Sequence, residues 1–308
     1  MTQARTALFS RKQAGGLFTI VDLPQVPNDV FFVCSVTGSD AAGYGYNPDK
    51  PTATIDYAIG LCTDSKGDII YVLPGHAENI TAADSIDCDV IGISIIGLGS
   101  GSLIPTISAT AAAGSITVDV AGVTLKNLKL VANFATGCTS AITISADGDD
   151  CTLDGIVCRD TTTDKEWKVH VSVATTVVDL TIKNCNFIGL AGGSMSNSVL
   201  FAGTTSNVRI YDNEIDVDSS DSVIDHDAGK ATSILLARNI ILNQDTNAAG
   251  CCIEVEATST GHAILNTCSY NKADAVVYTG EALFWIENYG GNTAGSSGEL
   301  DPAAAAIP

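Results

Sequence analysis

The chain has 308 residues, of which 16% are charged and 6% are aromatic, and its 35 acidic and 15 basic side chains give a formal charge of −20. So acidic a body repels nucleic acid and anionic membranes, which excludes both as partners. No apolar stretch reaches the roughly 18 residues that a membrane helix requires, and the N-terminus lacks the apolar core of a signal peptide.

The first segment, residues 1–30, is an N-terminal arm that is basic at its start. Residues 1–21 contain no Asp or Glu, so they locally reverse the charge of the body, and their apolar side chains can bury area on a partner. A solvated terminus without a partner is the alternative. The predicted partner-binding residues are Arg5, Leu8, Phe9, Arg11, Lys12, Leu17 and Phe18.

Residues 31–84 predict an N-terminal cap with a short helix and a first strand. Thr52 or Thr54 caps the helix, and a strand within residues 68–75 follows it. The open end of a solenoid exposes unpaired backbone groups, so we expect the helix to cover it. The apolar helix residues follow an i, i+3, i+4, i+7 pattern and are Ile55, Ala58, Ile59 and Cys62.

Residues 85–290 contain an internal repeat. Seven segments share an apolar-x-apolar core, and successive anchors are 26 to 30 residues apart. Alternating apolar residues indicate strands with one buried face. The fold class predicted is all-β, a right-handed parallel β-helix of about seven to eight coils of roughly 28 residues. The anchors are Ile95, Leu125, Leu153, Ile182, Ile210, Leu236 and Leu265.

Gly, Asn and Asp recur two residues after the anchors, where a sharp corner requires a left-handed backbone. Asn213 and Asn239 follow such corners in successive coils and predict a side-chain hydrogen-bond ladder, with ordinary turn asparagines as the alternative. A leucine-rich repeat is the structural rival, but the chain lacks its L-x-x-L-x-L-x-x-N frame.

Ten cysteines without a C-x-x-C pair predict reduced, buried thiols, with Cys151 and Cys158 facing the core. No cofactor is predicted. At the C-terminal end, FWIENYGG offers large side chains to close the last coil, and residues 291–308 have the composition of a flexible tail.

Residues 31–80 carry a G-S-D (Gly38–Asp40), a proline pair (Pro48 with Pro51), T-I-x-x-A-I (Thr54–Ile59) and G-D-x-I-Y-V-x-P-G-H-x-E (Gly67–Glu78). This order resembles the opening of pectin-lyase-like β-helix proteins of tailed bacteriophage particles. The resemblance covers about residues 31–290. It implies a β-helix and a phage origin, and it leaves activity open, because this fold serves lyases, hydrolases, receptor-binding spikes and structural proteins.

The richest acidic run is DNEIDVDSSDSVIDHD, residues 212–227. Asp216 and Asp218 share a face if the strand continues, so together with Asp221 they are candidates for a carboxylate pair or a calcium site. A solvated charged loop is the alternative. The serial motifs of pectin-degrading β-helix enzymes are incomplete, and no catalytic residue is predicted.

These observations predict a non-enzymatic structural protein of a phage virion, made in the host bacterial cytoplasm. It would decorate or cement the capsid, or associate with the head, and dock through the arm onto the major capsid protein or other virion proteins. The resemblance implies a homo-oligomer, such as a trimer. The alternatives are a tail-associated receptor-binding protein or polysaccharide depolymerase, and a bacterial surface β-helix without a particle role.

Overall fold

The computed structural model describes residues 29–226, 228–246, 250–272, 277–279, 283–293 and 297–300. Three long sheets run side by side along one axis, and each complete coil gives one strand to each of them. Successive coils pair in parallel, which makes a solenoid of about seven turns. The predicted all-β parallel β-helix is confirmed.

Sheet 1 contains the repeat anchors that the sequence predicted. Ile95, Leu125, Leu153, Ile182, Ile210 and Leu236 are register partners from coil to coil, and all are buried. Its ten strands are Val30–Val33, Ile69–Val72, Ser94–Gly97, Thr124–Lys126, Thr152–Asp154, Thr181–Lys183, Arg209–Tyr211, Ile234–Ala237, Gly261–Ile264 and Phe284–Ile286.

Sheet 2 follows sheet 1 in each coil after a short corner. Its last strand is antiparallel to the one before it, while the others pair in parallel. Its ten strands are Ala77–Ile80, Thr106–Ala109, Lys129–Ala132, Val157–Asp160, Asn186–Ile188, Glu214–Val217, Ile240–Asn243, Thr267–Tyr270, Tyr289–Asn292 and Ser297–Glu299.

Sheet 3 completes each coil. Its seven strands are Ile86–Cys88, Ile116–Val118, Cys138–Ile144, Trp167–Val173, Asn197–Phe201, Ile224–His226 and Ile253–Val255. A two-stranded sheet, Thr205–Ser206 with Ala231–Thr232, lies in the connection from sheet 3 back to sheet 1. The inward-facing apolar residues of the three sheets form one continuous core column. A second, small apolar cluster lies at the start of sheet 1 and contains Phe32, Cys34, Ile69, Tyr71 and Leu73.

Helix α1, Ile55–Ile59, caps the N-terminal end as predicted. The Thr54 hydroxyl accepts a hydrogen bond from the Tyr57 N–H at 3.3 Å, and the buried face packs on the first strands of sheets 1 and 3. A 3-10 turn spans Gly101–Leu103. The winding begins earlier than predicted, because Val30–Val33 precedes Ile69–Val72 in sheet 1. Among the described residues, no helix is long and apolar enough to cross a membrane.

The last repeat anchor was placed two residues too late. Leu236 pairs with Ala263, whereas Leu265 is 45% exposed and has a φ of 56°. Leu265 therefore forms the corner of its coil. The apolar pattern of HAIL allowed either register, and the backbone hydrogen bonds select the one that keeps the corners aligned.

The corners between sheets 1 and 2 carry the predicted left-handed backbone and asparagine ladder. Asn184, Asp212 and Arg238 all have φ values between 53° and 57°. Directly after the corners, each ladder asparagine donates from Nδ2 to Oδ1 of the next at 2.8–2.9 Å. The predicted Asn213–Asn239 ladder is confirmed and is longer than predicted, since its buried members are Asn213, Asn239, Asn266 and Asn288.

The cysteine prediction is confirmed. All ten thiols are free, nine are buried, and Cys151 and Cys158 belong to the core. Burial raises the pKa of Cys151 to about 12, so this thiol remains protonated. At the C-terminal end, part of the predicted flexible tail is paired, because Ser297–Glu299 lies antiparallel to Tyr289–Asn292 and Leu300 is buried.

We expect Ile182→Asp to destabilise the solenoid by several kcal/mol, because it places a carboxylate between Leu153 and Ile210 in the apolar core. Chemical denaturation measured by circular dichroism gives the free energy of unfolding. Thr181→Asp is the matched control, since Thr181 is half-buried on the opposite face of the same strand. Equal losses in both variants would contradict the inward assignment of Ile182.

Candidate functional site

The outer face of sheet 3 carries a row of polar side chains along the solenoid axis. Side chains alternate between the two faces of a strand, so register partners in successive coils form one outward row. At its C-terminal end the row places two carboxylates side by side. In chain order its members are Asp87, Thr117, Thr143, Ser172, Leu200, Asp225 and Glu254.

Asp225 and Glu254 form what we call the carboxylate pair. They are direct register partners on adjacent parallel strands, which lie about 4.8 Å apart. Both side chains are half-buried. They are 29 positions apart in the sequence, so the coil stacking alone brings them together.

Buried neighbours hold both carboxylates in place. Asn197 Nδ2 donates to Asp225 Oδ2 at 3.1 Å and to the Ser222 carbonyl oxygen at 2.8 Å. The Ser222 hydroxyl donates to Glu254 Oε2 and accepts from the Cys251 N–H at 3.1 Å. Since Asn197 and Ser222 are both buried, the pair is fixed from below rather than by mobile surface groups.

A second charged cluster lies at the corner between sheets 2 and 3. Glu166 accepts from the Ser194 N–H and hydroxyl, both at 2.6 Å, and from Lys168 Nζ at 2.5 Å. Burial raises the pKa of Glu166, but the hydrogen bonds from Lys168 and Ser194 outweigh it, and the pKa lies below its ordinary value. This cluster links successive coils, and its hydrogen bond to Glu166 holds the Lys168 ammonium group in place.

Asp160 lies in the same corner. Its carboxylate accepts the N–H groups of Trp167 at 2.9 Å and of Leu190 at 3.1 Å. Burial raises the pKa of Asp160 to about 6, in spite of these bonds, and the Glu166 charge adds to the effect. Both oxygens are used to hold backbone from two coils, so Asp160 positions the strands at the edge of the outer face.

Under the same sheet, His170 is fully enclosed in the core. Its Nδ1 lies 3.0 Å from the Ser198 hydroxyl oxygen, and its ring centroid lies 5.1 Å from that of Phe187. Burial, with a smaller contribution from Arg159, lowers the pKa of His170 to about 3. The imidazole is therefore neutral at neutral pH and serves as a packing group, although histidine is commonly a catalytic base.

We expect His170 to make the folded protein less stable as the pH falls below 6.5. The unfolded chain protonates His170 near pH 6.5 and the folded chain only near 3, so the free energy of unfolding falls by about 1.4 kcal/mol per pH unit from this group. His226, whose pKa is also lowered by burial, acts in the same direction.

The measurement is urea unfolding of the protein and of His170→Leu from pH 7 to pH 4.5. The variant should show a shallower decrease. His262→Leu removes an exposed imidazole and is the control. An identical decrease in His170→Leu and the parent protein would contradict the buried neutral histidine.

The acidic residues that the sequence singled out are not brought together as one site. Asp216 lies on sheet 2 and accepts from Gln244 Nε2, Asp218 accepts the Gly192 N–H beyond the end of that strand, and the exposed Asp221 accepts the Ser222 N–H. Within the described part of the chain, no group of three or more His, Cys, Asp or Glu side chains is arranged to hold a metal ion.

Sequence reasoning named Asp225 only as one member of the acidic run and missed Glu254, which stands in CCIEVEA. The repeat of the coils in the sequence is the signal that could have identified both residues. The residues that directly follow the inward Ile224 and Ile253 belong to the outward row. The predicted partner-binding residues, Arg5 to Phe18, lie outside the described residues, so their role stays a prediction.

The sequence matches no protein-family model and no curated protein. Among solved structures, it is similar to a GH136 lacto-N-biosidase from Eubacterium ramulus, with a TM-score of 0.49 and 12% identity over 86% of this chain and 67% of that one. It is also similar to a rhamnogalacturonan lyase, with a TM-score of 0.37 and 12% identity over 89% of this chain and 90% of that one. The strand pairing itself shows a parallel β-helix.

This comparison corrects two predictions. The chain was expected to be a non-enzymatic virion structural protein, yet the solved structures it is similar to are those of a glycoside hydrolase and a polysaccharide lyase, and neither is named as a virion protein. The predictions of a structural role and of no enzymatic activity are therefore wrong on this finding. They rested on the phage-like opening, the acidic exterior and the missing catalytic motif, and residues brought together from two coils form no contiguous motif.

Proposed function

We propose that this protein is a glycoside hydrolase that uses Asp225 and Glu254 as its catalytic carboxylates. The observation that carries the proposal is their direct pairing on adjacent strands of sheet 3. Retaining glycosidases hold two carboxyl groups about 5 to 5.5 Å apart, close to the spacing of adjacent strands.

The hydrogen-bond partners distinguish the roles of the two carboxylates. The Asn197 amide nitrogen can only donate, so it favours the ionised form of Asp225, the form that a nucleophile needs. The Ser222 hydroxyl can donate to an ionised Glu254 and can accept from a protonated one. Glu254 therefore suits the acid/base role, in which the group first gives a proton to the leaving oxygen and then takes one from water.

The rest of the outward row supplies contacts for a glycan chain. Thr143 and Ser172 present hydroxyl-bearing side chains on the N-terminal side of the carboxylate pair, and Leu200 adds an apolar contact beside Asp225. Hydroxyl groups can donate to and accept from sugar hydroxyls. A linear glycan would lie along the solenoid axis.

The charges favour hydrolysis of a neutral glycan over elimination in an acidic one. A lyase of the pectate type pairs its carboxylates with an Arg or Lys base, and no member of the described outward row is Arg or Lys. The net charge of −20 also disfavours a polyanionic substrate.

We expect Asp225→Asn and Glu254→Gln each to lower kcat by about 10²-fold or more while the fold is kept, since each removes a group that acts in the transition state. The assay is release of reducing ends from neutral oligosaccharides, with substrates of a lacto-N-biosidase and of a rhamnogalacturonan lyase included in the panel. Proton NMR of the first product then shows whether the anomeric configuration is retained.

Asp216→Asn is the matched control, because it removes a carboxylate from the outer face of sheet 2 in the same acidic run. It should keep full activity. Loss of activity in Asp216→Asn together with full activity in Glu254→Gln would refute the assignment of the carboxylate pair.

The phage origin, the virion location and assembly as a homo-oligomer stay predictions. Their support is the N-terminal motif at residues 31–80. Light scattering of the purified protein measures the oligomeric state.

A further inference from the structure

A groove with a volume of about 750 Å³ lies on the outer face of sheet 2 at its C-terminal end. Its floor comes from three consecutive strands, Ile240–Asn243, Thr267–Tyr270 and Tyr289–Asn292. The groove does not share the outer face of sheet 3, where the carboxylate pair lies.

The register of the strands explains why the outer face of sheet 2 is concave at its C-terminal end. Leu242, Ser269 and Gly291 are partners in one outward row, so the side chains become smaller from coil to coil. The antiparallel strand Ser297–Glu299 then forms the far wall, because it pairs with Tyr289–Asn292. The volume lies within the range of about 300 to 1,000 Å³ that is usual for small-molecule sites.

The lining combines an aromatic ring with hydroxyl groups. Tyr289 is 52% exposed and is the register partner of Thr267. Thr267 and Ser269 are exposed on the floor, and Asn271 stands beside them. A sugar has an apolar face that packs on an aromatic ring and a rim of hydroxyls that bonds to such groups.

The charge of the lining residues indicates which class of ligand the groove can bind. None of the described residues that line the groove is Asp, Glu, Lys or Arg, although the chain as a whole has a net charge of −20. An uncharged lining in so acidic a protein fits a neutral ligand, because a charged one would lose its hydration without gaining an ionic partner.

We propose that this groove is a carbohydrate-binding site that holds one or two sugar units of a neutral glycan, with Tyr289 as the stacking platform. Binding in the groove does not depend on catalysis, because the groove is separate from Asp225 and Glu254. It would keep a glycan chain on the surface of the protein whether or not that chain is cut.

The test measures binding by isothermal titration calorimetry in the Glu254→Gln background, so that no probe is consumed. The probes are cellohexaose, laminarihexaose, maltohexaose and N-acetylchitohexaose, with polygalacturonate as the charged comparison. We expect saturable binding of at least one neutral probe and none of polygalacturonate. Adding Tyr289→Ala should weaken binding by about tenfold.

Ser269→Leu should abolish binding because it fills the groove, and its partner Leu242 shows that the row accepts leucine. Phe284→Ala is the control, since Phe284 is 68% exposed in the same coil but lies on sheet 1. Circular dichroism checks the fold of each variant. Absence of binding by every neutral probe, or binding unchanged in both groove variants, would overturn the proposal.

The outcomes separate this proposal from the proposed function. Hydrolysis that depends on Glu254 without binding in the groove would reject the groove alone. Groove binding that depends on Tyr289, in a protein without hydrolytic activity on any substrate, would reject the hydrolase assignment alone.

Discussion

The parallel backbone hydrogen bonds between successive coils determine where every other group lies. They fix the register, and the register decides which side chains, about 28 positions apart, become neighbours. The register alone makes Asp225 a neighbour of Glu254 and Thr267 a neighbour of Tyr289. Because side chains alternate in and out along a strand, a shift of one residue would exchange the core and the surface in that coil. The burial of apolar side chains and the arrangement of surface groups thus depend on the same backbone hydrogen bonds between coils.

Most of the fold could be predicted because the core repeats. Inward apolar residues such as Ile182 and Ile210 recur at nearly constant spacing, and corner residues such as Asn184 recur with them. The prediction was wrong at Leu265, where apolarity alone could not choose between two registers. Asn266, which continues the ladder from Asn239, carried the better signal, because a buried amide has to meet its partners in one geometry.

The candidate site could not be predicted in the same way. Asp225 was one carboxylate among seven in the run 212–227, and nothing in the local sequence sets it apart. Glu254 was isolated between inward residues. Their relation depends on the length of the connection between their strands, and this length varies from coil to coil. The predicted structural role rested in part on the absence of a catalytic motif, and residues brought together from two coils form no local motif.

The left-handed corners have a consequence for how the solenoid comes apart. The earlier ones are occupied by Gly, Asn or Asp, but the last three fall on Arg238, Leu265 and Glu287, with φ values of 53°, 56° and 50°. Such residues hold this conformation at a cost of about 1 to 2 kcal/mol. Among the described residues, the coil that contains Glu287 stacks on one other coil only. Unwinding should therefore begin at the C-terminal end and proceed coil by coil. A molecule that binds across the last strands of sheet 2 would stabilise this end against unwinding.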